Sequence, residues 1–322
     1  MNPVSILSPE TEIRKDELFP DPFCCIGLVA PAGRIPREEY EAAAGFLSGL
    51  GLRLFTGKSI FKGDRISYVS APAADRADDF NELIRNPEIQ AIYCLRGGYG
   101  CIHLLDKLDW NALKRRKLPV VGYSDITVLH AAMQSKHAGI AVSACMALHL
   151  QKDSRNAVFR RNFQRAWKTA SGENGPFRRI APLQSCSDSP GVTEAPLFCG
   201  NLTTLASLCG TGYLPRMKGK VIFLEDIAEP VRKLDRTLMQ LKLNGFFDGC
   251  AGIVFGDFKQ CGDAAERSEL FRRFSAMLSV PVFSGLHYGH CTRSISLVCG
   301  ESARIRNNTL YLRDPVFSAE KS

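Results

Sequence analysis

The chain has 322 residues, 45% of them hydrophobic and 23% charged, and a formal net charge of +8. That composition excludes disordered and fibrous classes, and the length exceeds what one hydrophobic core holds comfortably, so two domains with a cleft between them are expected. The positive excess suits an anionic partner without specifying nucleic acid.

In chain order, the apolar run Cys24 to Pro31 ends in Pro-Ala-Gly and reads as a buried strand entering a loop. A helix is expected over Arg37 to Leu50 and another over Asp75 to Asn86. The run Ala91 to Leu95 closes on Arg96-Gly97-Gly98-Tyr99-Gly100. Leu118 to Tyr123 closes on Ser124-Asp125, with a helix over Ile126 to Gln134 behind it. This alternation predicts an α/β domain over residues 1–165, a Rossmann-like or flavodoxin-like parallel sheet with crossover helices. Residues 166–194, rich in Ser, Gly and Pro toward their end, are expected to be a linker. Residues 195–322 form the second unit, a smaller α/β domain with a mixed sheet. Its strands fall at Lys220 to Leu224, Cys250 to Phe255 and Pro281 to Phe283, and its helix at Arg232 to Leu243.

The densest basic stretches are Lys114 to Lys117 and Arg160 to Lys168. Beside the second, Phe159, Phe163 and Trp167 recur every four residues, which is the spacing of one packed helix face and not of exposed stacking platforms. A solvated basic face beside a buried one follows, and no nucleic-acid partner is expected. Twelve cysteines include no CxxC pair and mostly sit among apolar or small residues, as free buried thiols do. Residues 1–23 offer no apolar signal core, and no run reaches the roughly 18 apolar residues of a membrane helix. A soluble cytoplasmic protein without a membrane partner is the expectation.

Gly57-Lys58-Ser59 imitates the end of a P-loop, but Leu52 stands where that loop needs its first Gly. No GxGxxG follows a strand and no HExxH occurs, so neither metal nor cofactor is expected. Gly122-Tyr123-Ser124-Asp125 sits between a strand and a helix, the setting of a nucleophile elbow. A helix N-cap by Ser124 or Asp125 is the alternative. The three glycines of the segment 96–100 permit close backbone approach to a ligand, as a phosphate cradle, an oxyanion hole or a plain turn. His287 and His290 lie in a Gly-bracketed loop after a strand, where functional side chains are commonly presented. Glu225 and Asp226 end a buried strand, an unusual place for acids without partners.

Together these segments resemble the LD-carboxypeptidase family of serine peptidases, which also contains self-immunity peptidases that hydrolyse microcin C. The resemblance runs from about Ile26 to Ala303. It rests on APAG (Ala30 to Gly33), LRGGYG (Leu95 to Gly100), VGYSDIT (Val121 to Thr127), CGNLTTLASLCGT (Cys199 to Thr211), FLEDIAEPVRKLDRTLMQLK (Phe223 to Lys242) and GLHYGH (Gly285 to His290). It implies a triad of Ser124 as nucleophile, Glu225 as orienting acid and His290 as general base, split across two domains. The amides of Gly98 and Asp125 would form the oxyanion hole, and Gly97, Tyr99 and Asn201 are substrate-binding candidates. The implied substrate is a cytoplasmic muropeptide tetrapeptide that loses its terminal D-alanine in peptidoglycan recycling, the implied assembly a homodimer. His287 and Cys291 depart from the family's usual pattern beside the base. A peptidyl-nucleotide hydrolase of the same family is the alternative, disfavoured by the lack of a Trp between Ser171 and Pro196. A non-catalytic binder of anionic ligands is the other.

Overall fold

Five short strands align in parallel, each too short to be stable alone; four are buried by what covers their two faces, and the edge strand Arg53–Thr56 is partly exposed. They are β1 (Cys25–Val29), β2 (Arg53–Thr56), β3 (Ala91–Cys94), β4 (Pro119–Gly122) and β5 (Ile140–Ser143). The computed structural model describes residues 13–187 and 191–317. Residues 1–12 of the signal-peptide reading, 188–190 of the Ser-rich tract and 318–322 therefore lie outside the described residues. The spatial order is β2-β1-β3-β4-β5, the flavodoxin-like order of a doubly wound sheet, and places the loops after β1, β3 and β4 side by side at the carboxyl edge. The helices are α1 (Arg37–Gly49), α2 (Ala73–Arg85), α3 (Trp110–Arg116), α4 (Thr127–Lys136), α5 (Ala147–Asp153) and α6 (Ala157–Ala170).

Alternate residues of the strands feed two different cores. Tyr93 and Val121 join Leu47, Phe163 and Trp167 on one face, whereas Ile92, Cys94 and Val120 join Phe80, Leu113 and Leu129 on the other. The aromatic stripe Phe159, Phe163 and Trp167 is buried as its spacing predicts, but Arg165 beside it is buried too. The second core does not stop at the first sheet. It continues through Leu197, Phe223 and Phe255, so the two units share one apolar body.

The second unit is built on an eight-stranded mixed sheet, in the order β6-β14-β13-β8-β9-β10-β11-β7. Strands β8 (Val192–Asn201), β9 (Val221–Ile227), β10 (Gly252–Lys259) and β11 (Val282–Ser284) are parallel. Strands β6 (Phe177–Pro182), β7 (Gln184–Ser185), β13 (Ser302–Arg306) and β14 (Thr309–Arg313) pair antiparallel at its edges. Helices α7 (Leu202–Ala206), α8 (Val231–Leu243) and α9 (Ala264–Ser275) complete it. The mixed α/β architecture matches the sequence expectation. The composition-based linker differs from what is observed: residues 177–182 and 184–185 are β6 and β7, at opposite ends of the second sheet. Edge strands with polar, unalternating faces carry no strand signal of their own, because their pairing partner defines them.

After β11 the chain returns to the first sheet, where β12 (Leu297–Val298) adds antiparallel to β5. Arg165 of α6 locks this return. Its guanidinium meets Glu301 at 2.5 and 3.3 Å and donates to the carbonyl of Ser296 at 2.6 Å. The loop holding residues 285–294 is thereby stretched between the two sheets.

Candidate active site

Tyr123 ends the run of β4 in extended backbone and Ser124 turns abruptly into φ +61, a left-handed conformation that costs a residue with a Cβ about 1–2 kcal/mol. This strained turn projects the Ser124 side chain off the sheet edge, as a nucleophile elbow does. The capping alternative is not realised. Ser124 Oγ lies 3.2 Å from His290 Nε2, and the Asp125 carboxylate accepts from the amide of Cys101 at 2.9 Å and not from its own helix.

Glu225 leaves β9 with its side chain buried and spends one oxygen on His290 twice, at 2.7 Å on Nδ1 and 3.2 Å on the backbone amide. A carboxylate only accepts, so Nδ1 carries the hydrogen and Nε2 is left as the acceptor facing Ser124. His290 can come this close because the residue before it is glycine. A Cβ on Gly289, at φ +114, would sit 2.4 Å from that Glu225 oxygen. The other oxygen of Glu225 accepts from Asn201 Nδ2 at 3.2 Å. The same nitrogen reaches Asp226 at 3.0 Å, and Asp226 accepts in addition from the amide and hydroxyl of Thr203. Burial still pushes the Asp226 carboxyl above its ordinary range.

The loop after β3 packs directly on the elbow. A Cβ on Gly97 would stand 3.0 Å from Ser124 Cβ and 3.2 Å from Oγ, so only glycine allows this approach. The carbonyl of Gly97 accepts from the Gly33 amide at 2.9 Å, tying in the loop after β1. Gly98, at φ +114, lies against Gly33. Arg76, 3% exposed on the inward face of α2, fastens the assembly through the carbonyls of Ala71, Pro31 and Gly100. Sequence reasoning missed Arg76, although a lone Arg falls there on the stripe of Phe80, Leu83 and Ile84. Tyr99 stands half exposed at the lip, edge to face with Tyr68 at 5.3 Å.

Residues 26–144 match the LD-carboxypeptidase N-terminal domain and residues 194–305 the LD-carboxypeptidase C-terminal domain. The chain belongs to the LD-carboxypeptidase family. A murein tetrapeptide carboxypeptidase of Pseudomonas aeruginosa is 30% identical over 88% of this chain and 94% of that protein. A probable murein peptide carboxypeptidase of Bacillus subtilis is 29% identical over 86% and 87%. The crystal structure of muramoyltetrapeptide carboxypeptidase from Oxalobacter formigenes superposes with a TM-score of 0.75 at 27% identity, over 90% of this chain and 98% of that one. The microcin C7 self-immunity protein MccF of Escherichia coli is 25% identical over 91% of this chain and 93% of its own length.

Within this LD-carboxypeptidase family chain, the structure separates the sequence candidates. Ser124, Glu225 and His290 are brought into one hydrogen-bonded line, with Gly97 against the serine, Asp125 next to it in the chain, and Gly98 packed on Gly33. Asn201, a substrate-binding candidate, has its amide nitrogen on Glu225 and Asp226 and its oxygen on the amide of Thr204. His287 is exposed, and its carbonyl holds the amide of Ile295, which shapes the loop. Burial, with Asp257 nearby, pushes the Cys291 thiol up to about 12, so it stays protonated and inert at neutral pH. All twelve cysteines are free. At Gly57-Lys58-Ser59 the backbone amides of Lys58 and Ser59 are taken by the Asp79 carboxylate, which fills the place a phosphate would need.

Proposed function

We propose that this protein is a serine LD-carboxypeptidase that removes the terminal D-alanine from murein tetrapeptides, cutting next to an L-centre such as meso-diaminopimelate or lysine. The observation that carries the reading is the unbroken contact from Ser124 Oγ through both ring nitrogens of His290 to Glu225. Family membership and the murein peptide relatives support the substrate class. A cytoplasmic place in peptidoglycan recycling and a homodimeric assembly belong to the same reading.

In this mechanism His290 Nε2 takes the Ser124 proton as Oγ attacks the scissile carbonyl, and Glu225 stabilises the imidazolium that forms. The amides of Gly98 and Asp125 receive the developing oxyanion, preorganised by the Gly33, Arg76 and Cys101 contacts that hold their loops still. Collapse returns the proton from Nε2 to the leaving amine, and D-alanine departs. Water then enters against the same base, attacks the acyl-serine, and releases the shortened peptide. Neither step calls on a metal or an organic cofactor.

The test is release of free D-alanine from a sugar-free tetrapeptide by the purified wild-type protein, beside a peptidyl-adenylate analogue. Release from the tetrapeptide with the analogue left intact is the expected result. Cleavage of the analogue alone would replace the substrate class with a peptidyl nucleotide, and inertness toward both would remove the hydrolase reading.

A further inference from the structure

Three cations stand together beside the catalytic loop without a carboxylate partner. Lys152 and Arg155 flank the turn between α5 and α6, and Arg293 lies three residues after His290; all three are exposed. They line one pocket of about 280 Å³ together with Asn156 and Thr292. Among the described residues, none of the three is within ion-pair distance of an acid, whereas neighbouring Arg160 and Arg161 pair with Glu17 and Asp314. Arg293 is also held at φ +64, a backbone conformation that a side-chain-bearing residue adopts at a cost.

The pocket adjoins the site. Asp153 and Phe159 form its inner wall and also line a smaller cavity of about 30 Å³, whose other walls include Tyr123, Gly289 and Cys291. The Tyr123 ring packs 4.9 Å from the His290 imidazole, so the smaller cavity, which shares Asp153 and Phe159 with the cation pocket, reaches the base. Asp153, the one carboxylate on the pocket wall, faces the Cys145 thiol at 3.2 Å. The balance of side-chain charge is therefore +2, and the first turn of the 14-residue α6, capped by Asn156, adds its positive end.

We propose that this pocket is an anion subsite that holds a carboxylate of the peptide substrate through Arg155 and Arg293, with Lys152 adding long-range attraction. The inference rests on the carboxypeptidase reading for its ligand, and deepens it by assigning residues to substrate recognition. Guanidinium groups suit the task because their planar forks match carboxylates in two-bonded geometry. Several carboxylates of the substrate share this chemistry, among them that of the terminal D-alanine and that of a diaminopimelate third residue.

Binding is measured by titration calorimetry in a Ser124→Ala background, where turnover cannot interfere, with tetrapeptides carrying either meso-diaminopimelate or lysine at the third position. With Arg155→Gln and Arg293→Gln added, Kd is expected to rise about tenfold or more, and the salt dependence of binding to weaken. A rise for both peptides that is lost when the terminal carboxylate is amidated assigns that carboxylate, a rise for both that survives amidation assigns another carboxylate common to them, and a rise for the diaminopimelate peptide alone assigns the third residue. Unchanged Kd for both peptides, or no binding by the Ser124→Ala protein itself, overturns the subsite. D-alanine release by the wild-type protein is scored separately, so a failed subsite and a failed carboxypeptidase reading give different results.

Discussion

Glu301 meets Arg165 at 2.5 Å and Glu225 meets His290 at 2.7 Å, and each contact belongs to a link between the first sheet and the second. In the first link both side chains are at most 2% exposed, and the two terminal nitrogens of the guanidinium also donate to the carbonyls of Arg313 and Ser296, while Nε is buried without a partner among the described residues. In the second, the carboxylate is equally buried but the imidazole is 15% exposed and its far nitrogen faces a hydroxyl at the cleft. A guanidinium has only donors, whereas an imidazole can donate from one nitrogen while the other accepts. A buried acid opposite Arg165 therefore clamps two units together, and the same kind of acid opposite His290 fixes the ring with its far nitrogen toward Ser124, as the proposed role of a base requires.

Breaking each link should separate the two roles. The largest effect is expected from His290→Ala, which should lower turnover by about 10⁴-fold while leaving thermal unfolding nearly unchanged. Glu301→Gln should do the reverse. It leaves Arg165 uncompensated in a dry site and should cost about 3–5 kcal/mol in denaturant unfolding, with the activity of the folded fraction retained.

A third basic side chain, fully buried, extends the contrast. His130, 1% exposed, donates Nε2–H to the Val120 carbonyl at 2.9 Å, and burial lowers its pKa to about 4. The unfolded chain binds this proton near pH 6.5 and the folded one does not, so stability is complete above that value and is lost as pH falls toward 4. At pH 5 the loss should be about 2 kcal/mol. Replacing His130 by Gln, which can still donate to Val120, should flatten the acid limb of an unfolding-versus-pH series. The smallest effect is expected at Asp226, which touches neither His290 nor Ser124 but shares Asn201 with Glu225. Asp226→Asn should lower kcat about tenfold through a looser Glu225, with KM unchanged; a raised KM instead would place Asp226 in substrate binding.

The positions of β1, β3, β4, β9 and β10 were legible because each contains a continuous apolar run bounded by turn residues, as buried parallel strands do. Ser124 and His290 were legible only in part from chemistry. Strand-turn-helix marked the serine and Gly brackets marked two histidines, but family resemblance alone separated His290 from His287. What stayed hidden depends on contacts far apart in sequence. Strand β12 has two residues and exists because β5 pairs with it. Arg165 looked like one more member of a solvated basic face, since nothing local announces a Glu 136 residues later. Arg76 and the Asp125 carboxylate act on loop backbones, a role with no motif, yet a charge on the apolar stripe of α2 was a visible sign.

The central claim is that Ser124 is the nucleophile of this two-sheet site. Its most direct test compares D-alanine release from the tetrapeptide by wild-type and Ser124→Ala protein of equal folded concentration, with rapid-quench mass mapping of the peptide that contains residue 124. The account expects release by the wild type alone, with the tripeptidyl group esterified to Ser124 in the quenched sample. Undiminished release by the Ser124→Ala protein would contradict it.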